Sequence, residues 1–396
     1  MLDTKRRETL IMLCAEMIRS NSVTGSEAEI GLLLKERMAE FGFDDAYMDS
    51  LGNVIGLIKG TGGGKTVLLD GHIDTVGVSD QSLWSRPPFG GEIHEGKIYG
   101  RGAADMKCAL AAMIAAAAFL GQDRRPAGDV YISGTAMEEV AEGVSLKFIL
   151  EDVKPDIVII GEATELNLNI GQRGRAEILL KTRGKSAHSS NPEVGVNAVK
   201  KMMNLLSRVH ELPVSHNEKL GGGILELTDI ISSPYPGASV LPELCTVTMD
   251  RRLLTGEDEE AVLGAIRAVI DSLAAADPDF DAEVSIASER LKYFTGKTFT
   301  HSKFAPAWYM DEESCGGIIE SAMTALRKAG LNPKKSVYKF CTNGSASAGL
   351  LGIPTIGFGP CAEWQAHVVD ENCSLDELCK AAEGYYHLIG AMTNRQ

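Results

Sequence analysis

Hydrophobic and polar positions follow two different periods along the chain, and each period predicts one type of element. Apolar residues three or four positions apart, such as Leu10, Leu13 and Met17, predict helices. Short β-branched runs, such as 54–58 and 157–160, predict buried strands. Such strands and helices alternate through the first 173 residues and again towards the C-terminus. This alternation is typical of a parallel or mixed sheet that is covered by helices on both faces.

The chain between residues 174 and 295 has a different pattern. Extended segments at 176–182, 223–231, 240–252 and 283–286 accompany two long predicted helices at 198–210 and 257–275. This block is therefore α+β, and the βα pattern resumes after it. We predict one α/β domain formed by residues 1–173 and 296–396, which binds metal and is catalytic, interrupted by an inserted domain at 174–295.

Composition and charge restrict the classes of function. The chain has 396 residues, of which 44% are hydrophobic, and its formal net charge is −15. Binding to phosphates requires a cationic face, so this acidity argues against nucleic acid as a partner. The longest apolar stretch, 109–120, is shorter than the roughly 20 residues of a membrane span. We predict a cytoplasmic protein without a membrane partner, whose eight scattered cysteines are reduced.

Five short segments carry residue types that bind metal ions, and each follows a predicted strand or lies on a glycine-rich loop. They are DGHIDT at 70–75, GRGAADMK at 100–107, MEEV at 137–140, GEAT at 161–164 and AH at 366–367. Each has a structural explanation when it is taken alone, such as helix capping by Asp105. Together they supply nitrogen and oxygen donors that suit zinc, cobalt or manganese.

Two of these segments indicate how the side chains divide their work. In an extended chain, His72 and Asp74 face the same way, so Asp74 can orient the imidazole. Glu138 and Glu139 are adjacent and cannot point in the same direction on a regular element. One of them can bind a metal while the other faces a water molecule, an arrangement that suits hydrolysis.

The five segments, in this order, resemble the dinuclear zinc hydrolase family of acetylornithine deacetylase, succinyl-diaminopimelate desuccinylase, aminoacylase and glutamate carboxypeptidase. The resemblance extends over essentially the whole chain. It implies a zinc-peptidase-like catalytic domain with a mixed, largely parallel sheet, interrupted by a ferredoxin-like α+β domain that serves as lid and dimerisation module. It also implies a homodimer and two divalent metal ions, zinc in the first place, with cobalt or manganese as alternatives.

The resemblance assigns roles to individual residues. His72 and Glu162 would bind one metal, Glu139 and His367 the other, and Asp105 would bridge the two. Asp74 would support His72, and the peptide bond between Asp105 and Met106 would be cis. Glu138 would be the general base that activates a water shared by the two metals and then protonates the leaving amine.

Further residues of the resemblance concern the substrate. His188 in KSAHSS resembles the lid histidine that reaches the partner subunit's active site and stabilises the oxyanion. Arg252 in DRR matches an arginine that binds a carboxylate, better than Arg251 does. Asn343 and Gly344 stand where many relatives have a GGTD-like loop, and we assign them to substrate binding. The sequences GQRGR, DRR and TNG are closer to a subgroup labelled as hydrolases linked to selenium metabolism.

The leading hypothesis is a metal-dependent hydrolase that cleaves the amide bond of an N-acyl amino acid or a short peptide with a free carboxylate. One alternative is an activity of the dipeptidase or carboxypeptidase type, which would need a partner for a free ammonium group. Another is a binding protein without catalysis on the same scaffold. The presence of Glu138 beside the ligand Glu139 argues against that last alternative, because a protein that only binds has no need of a base.

Overall fold

The computed structural model describes residues 2–394, and its internal contacts divide the chain into two compact units. The first unit comprises the chain up to Gln172, Leu291–Phe299 and the chain from Trp308 onward, and the second comprises Arg173–Arg290 and Thr300–Ala307. The predicted insertion at 174–295 differs from the second unit at its C-terminal end. There the chain enters the first unit for nine residues and then returns to the second.

Helices and strands alternate along most of the chain. The helices are α1 (Thr4–Arg19), α2 (Ala28–Glu40), α3 (Cys108–Asp123), α4 (Val144–Val153), α5 (Ala198–Val209), α6 (Glu259–Ala276), α7 (Glu312–Lys328) and α8 (Leu375–Met392). The strands are β1 (Asp45–Met48), β2 (Val54–Ile58), β3 (Val67–His72), β4 (Glu92–His94), β5 (Lys97–Tyr99), β6 (Val130–Thr135), β7 (Ile157–Ile160), β8 (Leu168–Gln172), β9 (Gly174–Arg183), β10 (His216–Asn217), β11 (Gly221–Gly222), β12 (Ile224–Ser233), β13 (Leu244–Leu253), β14 (Asp281–Ile286), β15 (Ser288–Lys292), β16 (Thr298–Ser302), β17 (Phe304–Ala305), β18 (Trp308–Tyr309), β19 (Lys335–Tyr338), β20 (Thr355–Gly357) and β21 (Asn372–Ser374).

A nine-stranded sheet forms the centre of the first unit, in the order β1-β2-β6-β3-β7-β20-β8-β18, and β19 also pairs with β8. Strands β6, β3, β7 and β20 are parallel, whereas β1, β2 and β18 run antiparallel to their neighbours. Residues of β3 pack alternately into two different hydrophobic clusters, because both faces of the sheet are covered. This mixed, largely parallel sheet confirms the predicted fold class.

Helix α3 is apolar on every side and lies in the core of the first unit. Every residue from Cys108 to Leu120 is buried, and the helix contacts α1, α8 and the sheet. The segment Ala103–Asp123 is long and apolar enough to cross a membrane by length and composition, which corrects the shorter stretch considered above. Because 94% of its apolar window is buried inside the protein, the segment also has the properties of a core helix.

The second unit is built on a five-stranded antiparallel sheet in the order β12-β13-β9-β14, with β17 beside β9. Buried and half-buried residues alternate along β9 and β13, as expected for strands with one face in a core. Apolar side chains of α5 and α6, among them Met202, Leu205 and Ile266, cover that face. Strand β12 is at the edge of the sheet.

Candidate metal centre

The carboxyl ends of three parallel strands bring the first predicted ligands together. Strand β3 ends with His72, Glu138 and Glu139 follow β6, and Glu162 follows β7. Because β3 pairs in parallel with both β6 and β7, these chain ends lie at one edge of the sheet. Open α/β sheets place their ligands at this edge.

Asp105 and His367 reach the same place from irregular segments. Asp105 lies in a turn with non-helical dihedral angles, and its peptide bond to Met106 is cis, as expected. Helix α3 begins only at Cys108, so Asp105 is not the residue that caps it. His367 has a left-handed φ of 61° in the loop before β21.

The donor atoms form two sets that share Asp105. Nε2 of His72 lies 2.9 Å from Oδ1 of Asp105 and 3.6 Å from Oε1 of Glu162. Nε2 of His367 lies 3.0 Å from Oδ2 of Asp105 and 3.0 Å from Oε2 of Glu139. We call His72, Asp105 and Glu162 the first donor set, and Asp105, Glu139 and His367 the second donor set.

The chemistry of these donors fits two divalent cations. Ligands at about 2.0–2.2 Å from a tetrahedral metal lie roughly 3.3–3.6 Å from one another. The observed separations of 2.9–3.6 Å are close to this value. Four carboxylates, those of Asp105, Glu138, Glu139 and Glu162, meet only two imidazoles here, and most of these groups are shielded from solvent. Cations would neutralise the excess negative charge.

The pKa values reflect this crowding of acids and imidazoles. Burial raises the pKa of Glu138 and Glu162 well above the ordinary value, and neighbouring carboxylates add to the effect. Burial acts in the same direction on Asp105, but hydrogen bonds to the imidazoles outweigh it and lower the pKa of that carboxyl. Asp105 and Glu139 raise the pKa of His367 to about 10.

Metal binding to the second donor set should therefore release a proton. His367 carries a proton at pH 7 in the metal-free protein, because its pKa is about 10, and a ligating imidazole must be neutral. We expect the apparent affinity to rise by up to about tenfold per pH unit on this account, until the pH passes that pKa. Calorimetric titration with zinc at pH 7, in buffers of different ionisation enthalpy, measures the protons released. Release of no proton over the two equivalents would contradict the assignment.

Asp74 holds the turn that bears the two adjacent glutamates. Its carboxylate accepts the backbone N–H groups of Glu138 at 3.0 Å and Glu139 at 3.2 Å, as well as the hydroxyl of Thr24. Nδ1 of His72 instead donates to the backbone carbonyl of Asp74 at 2.9 Å, and the carboxylate lies 3.6 Å away. The predicted contact with His72 is thus made chiefly by the backbone. Burial raises the pKa of Asp74 to about 7.

The adjacent glutamates face different partners. Glu139 accepts the N–H of Val76 and contacts His367 in the second donor set. Glu138 is 6% exposed, and its carboxylate groups with His72 and Glu162. The two carboxylates thus point to different groups of donors, and the predicted roles of Glu139 as a ligand and Glu138 as a base stay predictions.

Asn343 and Gly344 have several polar groups engaged inside the fold, and their assignment to substrate stays a prediction. The amide of Asn343 donates to Oδ2 of Asp70 at 2.8 Å and to Thr135 at 2.9 Å, and it accepts the N–H of Gly143 at 2.6 Å. The N–H of Gly344 donates to the hydroxyl of Thr342. These contacts give both residues a part in holding the fold.

Replacing Asn343 with alanine should destabilise the protein. The change leaves the N–H of Gly143 and the carboxylate of Asp70 without this partner in the core. We expect the free energy of unfolding to fall by about 2–4 kcal/mol, measured by urea denaturation. Asn204→Ala, on an exposed face of α5, is the control and should change it little. An unchanged stability together with a raised KM would contradict this expectation and support the assignment of Asn343 to substrate.

His188 and Arg252 belong to the second unit, and their assignment to substrate stays a prediction. His188 is exposed, and its Nδ1 lies 2.7 Å from the hydroxyl of Ser190. Nε of Arg252 lies 2.9 Å from Oδ1 of Asp250, and the side chain is partly exposed. Arg251 is buried and paired with Glu257, so of the two neighbouring arginines it is the structural one.

Sequence reasoning missed Glu371 and Arg101, which lie behind the donor sets. Oε2 of Glu371 is 2.6 Å from Nη1 of Arg101, and both residues are buried. Arg101 belongs to the GRGAADMK segment, but 270 positions separate the pair. No local pattern could have connected them, although an acidic residue soon after His367 is visible in the sequence.

Comparison with known proteins gives consistent results. The model of peptidase family M20/M25/M40 matches residues 68–391. The protein YgeY of Escherichia coli K12 is 32% identical over 93% of this chain and 91% of its own. A succinyl-diaminopimelate desuccinylase of Cereibacter sphaeroides is 28% identical over 93% of this chain and 94% of its own. The structure of YxeP from Bacillus subtilis, described as a dinuclear metal-binding peptidase, has a TM-score of 0.74 at 15% identity and covers 99% of both chains.

Proposed function

This chain belongs to peptidase family M20/M25/M40, and we propose that it is a zinc-dependent hydrolase that releases amino acids from N-acyl amino acids with a free carboxylate. Membership makes it a hydrolase of a metallopeptidase family. The observation that carries the finer proposal is the convergence of two imidazoles and four carboxylates, with Glu138 beside the ligand Glu139. The desuccinylase among its relatives favours an acyl amino acid over a peptide.

The proposed reaction gives each residue near the donor sets a task. Two divalent ions, when bound, would lower the pKa of water and polarise the amide carbonyl. Glu138 takes a proton as the water oxygen attacks the carbonyl carbon, and then gives that proton to the amine nitrogen as the C–N bond breaks. In the metal-free protein, burial raises the pKa of Glu138 well above the ordinary value. Asp74 holds the backbone of Glu138 during both transfers.

Two residues of the second unit complete the proposal. Arginine binds a carboxylate through two parallel N–H groups, so Arg252 is assigned to the free carboxylate of the substrate. His188, in an exposed loop, is assigned to the oxyanion in the active site of the partner subunit.

The second role requires a homodimer, and the exposed edge strand β12 supports one. The side chains of Leu227, Ile230 and Ile231 on this strand are 41%, 48% and 56% exposed. A long apolar edge offers unpaired backbone groups to another strand, and a second copy of this chain can supply one. Light scattering after gel filtration measures the mass in solution. We also propose that the protein is located in the cytoplasm.

The test is amine release by the purified, zinc-loaded protein. The panel contains N-acetyl, N-formyl, N-carbamoyl and N-succinyl amino acids together with dipeptides. Release from acylated substrates alone supports the proposal and identifies the acyl group. Release from dipeptides alone establishes the dipeptidase alternative. If the protein has two metals bound and releases amine from no compound of the panel, the proposed substrate class is refuted.

A further inference from the structure

Glu371 joins the two segments that meet in the second donor set. It lies four residues after His367, and its side chain is entirely buried. Its Oε1 accepts the backbone N–H groups of Ala104 at 2.8 Å and Asp105 at 3.0 Å. Its backbone carbonyl accepts the N–H of Gly100 at 2.9 Å. One residue thus holds both ends of the GRGAAD turn.

An ion pair fixes the orientation of this carboxylate. Oε2 of Glu371 lies 2.6 Å from Nη1 of Arg101, which is 5% exposed, and the ring of Trp84 stacks on the guanidinium. A buried carboxylate is costly unless it is paired and hydrogen-bonded, and here each oxygen has a partner. The arrangement is therefore rigid, and it fixes the backbone of Asp105 against the segment that carries His367.

The two donor sets differ in how their members are supported. His72 ends a central strand, and Glu162 lies two residues after the end of the strand next to it, so the sheet fixes these two members of the first set. In the second set, Asp105 and His367 both lie in irregular segments. The bonds of Glu371 tie those segments together.

We infer that Glu371 is a positioning residue for the second metal ion, through its hold on the backbone of Asp105 beside His367. This inference rests on the proposed metal-dependent function. Loss of an outer hydrogen-bond partner costs about 10–100-fold in metal affinity at comparable sites. We expect a loss of that size at the second donor set, with a smaller change at the first.

The test compares Glu371→Gln with Asp370→Asn in stepwise titrations with cobalt(II), followed by calorimetry and visible absorption. Asp370 is the neighbour of Glu371, and its carboxylate accepts the N–H of Ser85, away from the donor sets. Wild type and D370N should bind two equivalents tightly, whereas E371Q should bind one tightly and one about 10–100-fold more weakly. Excess cobalt should restore kcat in E371Q, which a purely structural defect would not allow. Two equivalents bound with wild-type affinity in E371Q would overturn the inference.

A second variant keeps the test decisive if E371Q does not fold. Glu371→Asp retains the charge beside Arg101 but is one methylene shorter, so it cannot reach Arg101 and both N–H groups together. Wild-type affinities in a folded E371D would equally overturn the inference. If wild type binds two metal ions tightly but releases amine from no compound of the panel, only the proposed substrate class is refuted. Fewer than two sites in wild type would refute both.

Discussion

Glu138→Gln should lower turnover by orders of magnitude while both metal ions stay bound. The glutamine has the same shape and keeps the backbone N–H that Asp74 accepts, but it cannot take a proton. A positioned general base contributes about 100- to 10,000-fold to such reactions, and we expect kcat to fall by that factor. Steady-state rates on the best substrate of the panel measure the fall, and elemental analysis of the same sample measures the metal.

The control for this variant is Glu142→Gln in the same segment. Glu142 is close enough to influence the pKa of Glu138, but it belongs to neither donor set. Its removal should change kcat by less than tenfold. Activity of E138Q within tenfold of wild type would remove Glu138 from the proposed reaction. A loss of metal in E138Q would instead make it a ligand.

The fold could be predicted where each element has a simple pattern. Strands β2 and β7 begin and end as predicted, because each is a continuous apolar run between polar or glycine residues. Strand β8 was missed, although it pairs with three other strands, β18, β19 and β20. It contains Asn169 and Gln172, which are buried and so interrupt the apolar pattern. Gln172 satisfies its amide with the carbonyl of Thr342, 170 positions away, a contact that no local pattern reveals.

The candidate site could likewise be predicted only in part. Residues that provide donor atoms stand in short motifs after strands or on glycine-rich loops, so these motifs and the family resemblance selected the donors that the structure brings together. Contacts that support them were missed, because the partners are distant in sequence. Asn343 bonds Asp70 in the core, and 273 positions separate the two residues. The ion pair of Glu371 with Arg101 is a second case.

Asp105→Asn should have the largest effect on the metals, because Asp105 is the one residue shared by both donor sets. Its two oxygens lie 2.9 Å and 3.0 Å from the imidazoles of His72 and His367, and an amide would turn a donor towards one of them. We expect metal content to fall from two equivalents to one at most. The loss of kcat/KM should exceed the roughly 100-fold that the loss of an outer partner costs.

A pKa measurement makes this prediction independent of activity. A hydrogen bond to Asp105 is the largest of the effects that raise the pKa of His367 to about 10, so in metal-free D105N that pKa should move down towards 6.5. Titration of the histidine ring signals by NMR measures it, and Asp80→Asn, at an exposed turn, is the control. Two tightly bound metals in D105N would contradict the shared role. Metal content then distinguishes the three variants. We expect E138Q to keep two ions, E371Q to bind one tightly, and D105N to bind neither site tightly. One measurement thus separates a general base, a positioning residue and a shared ligand.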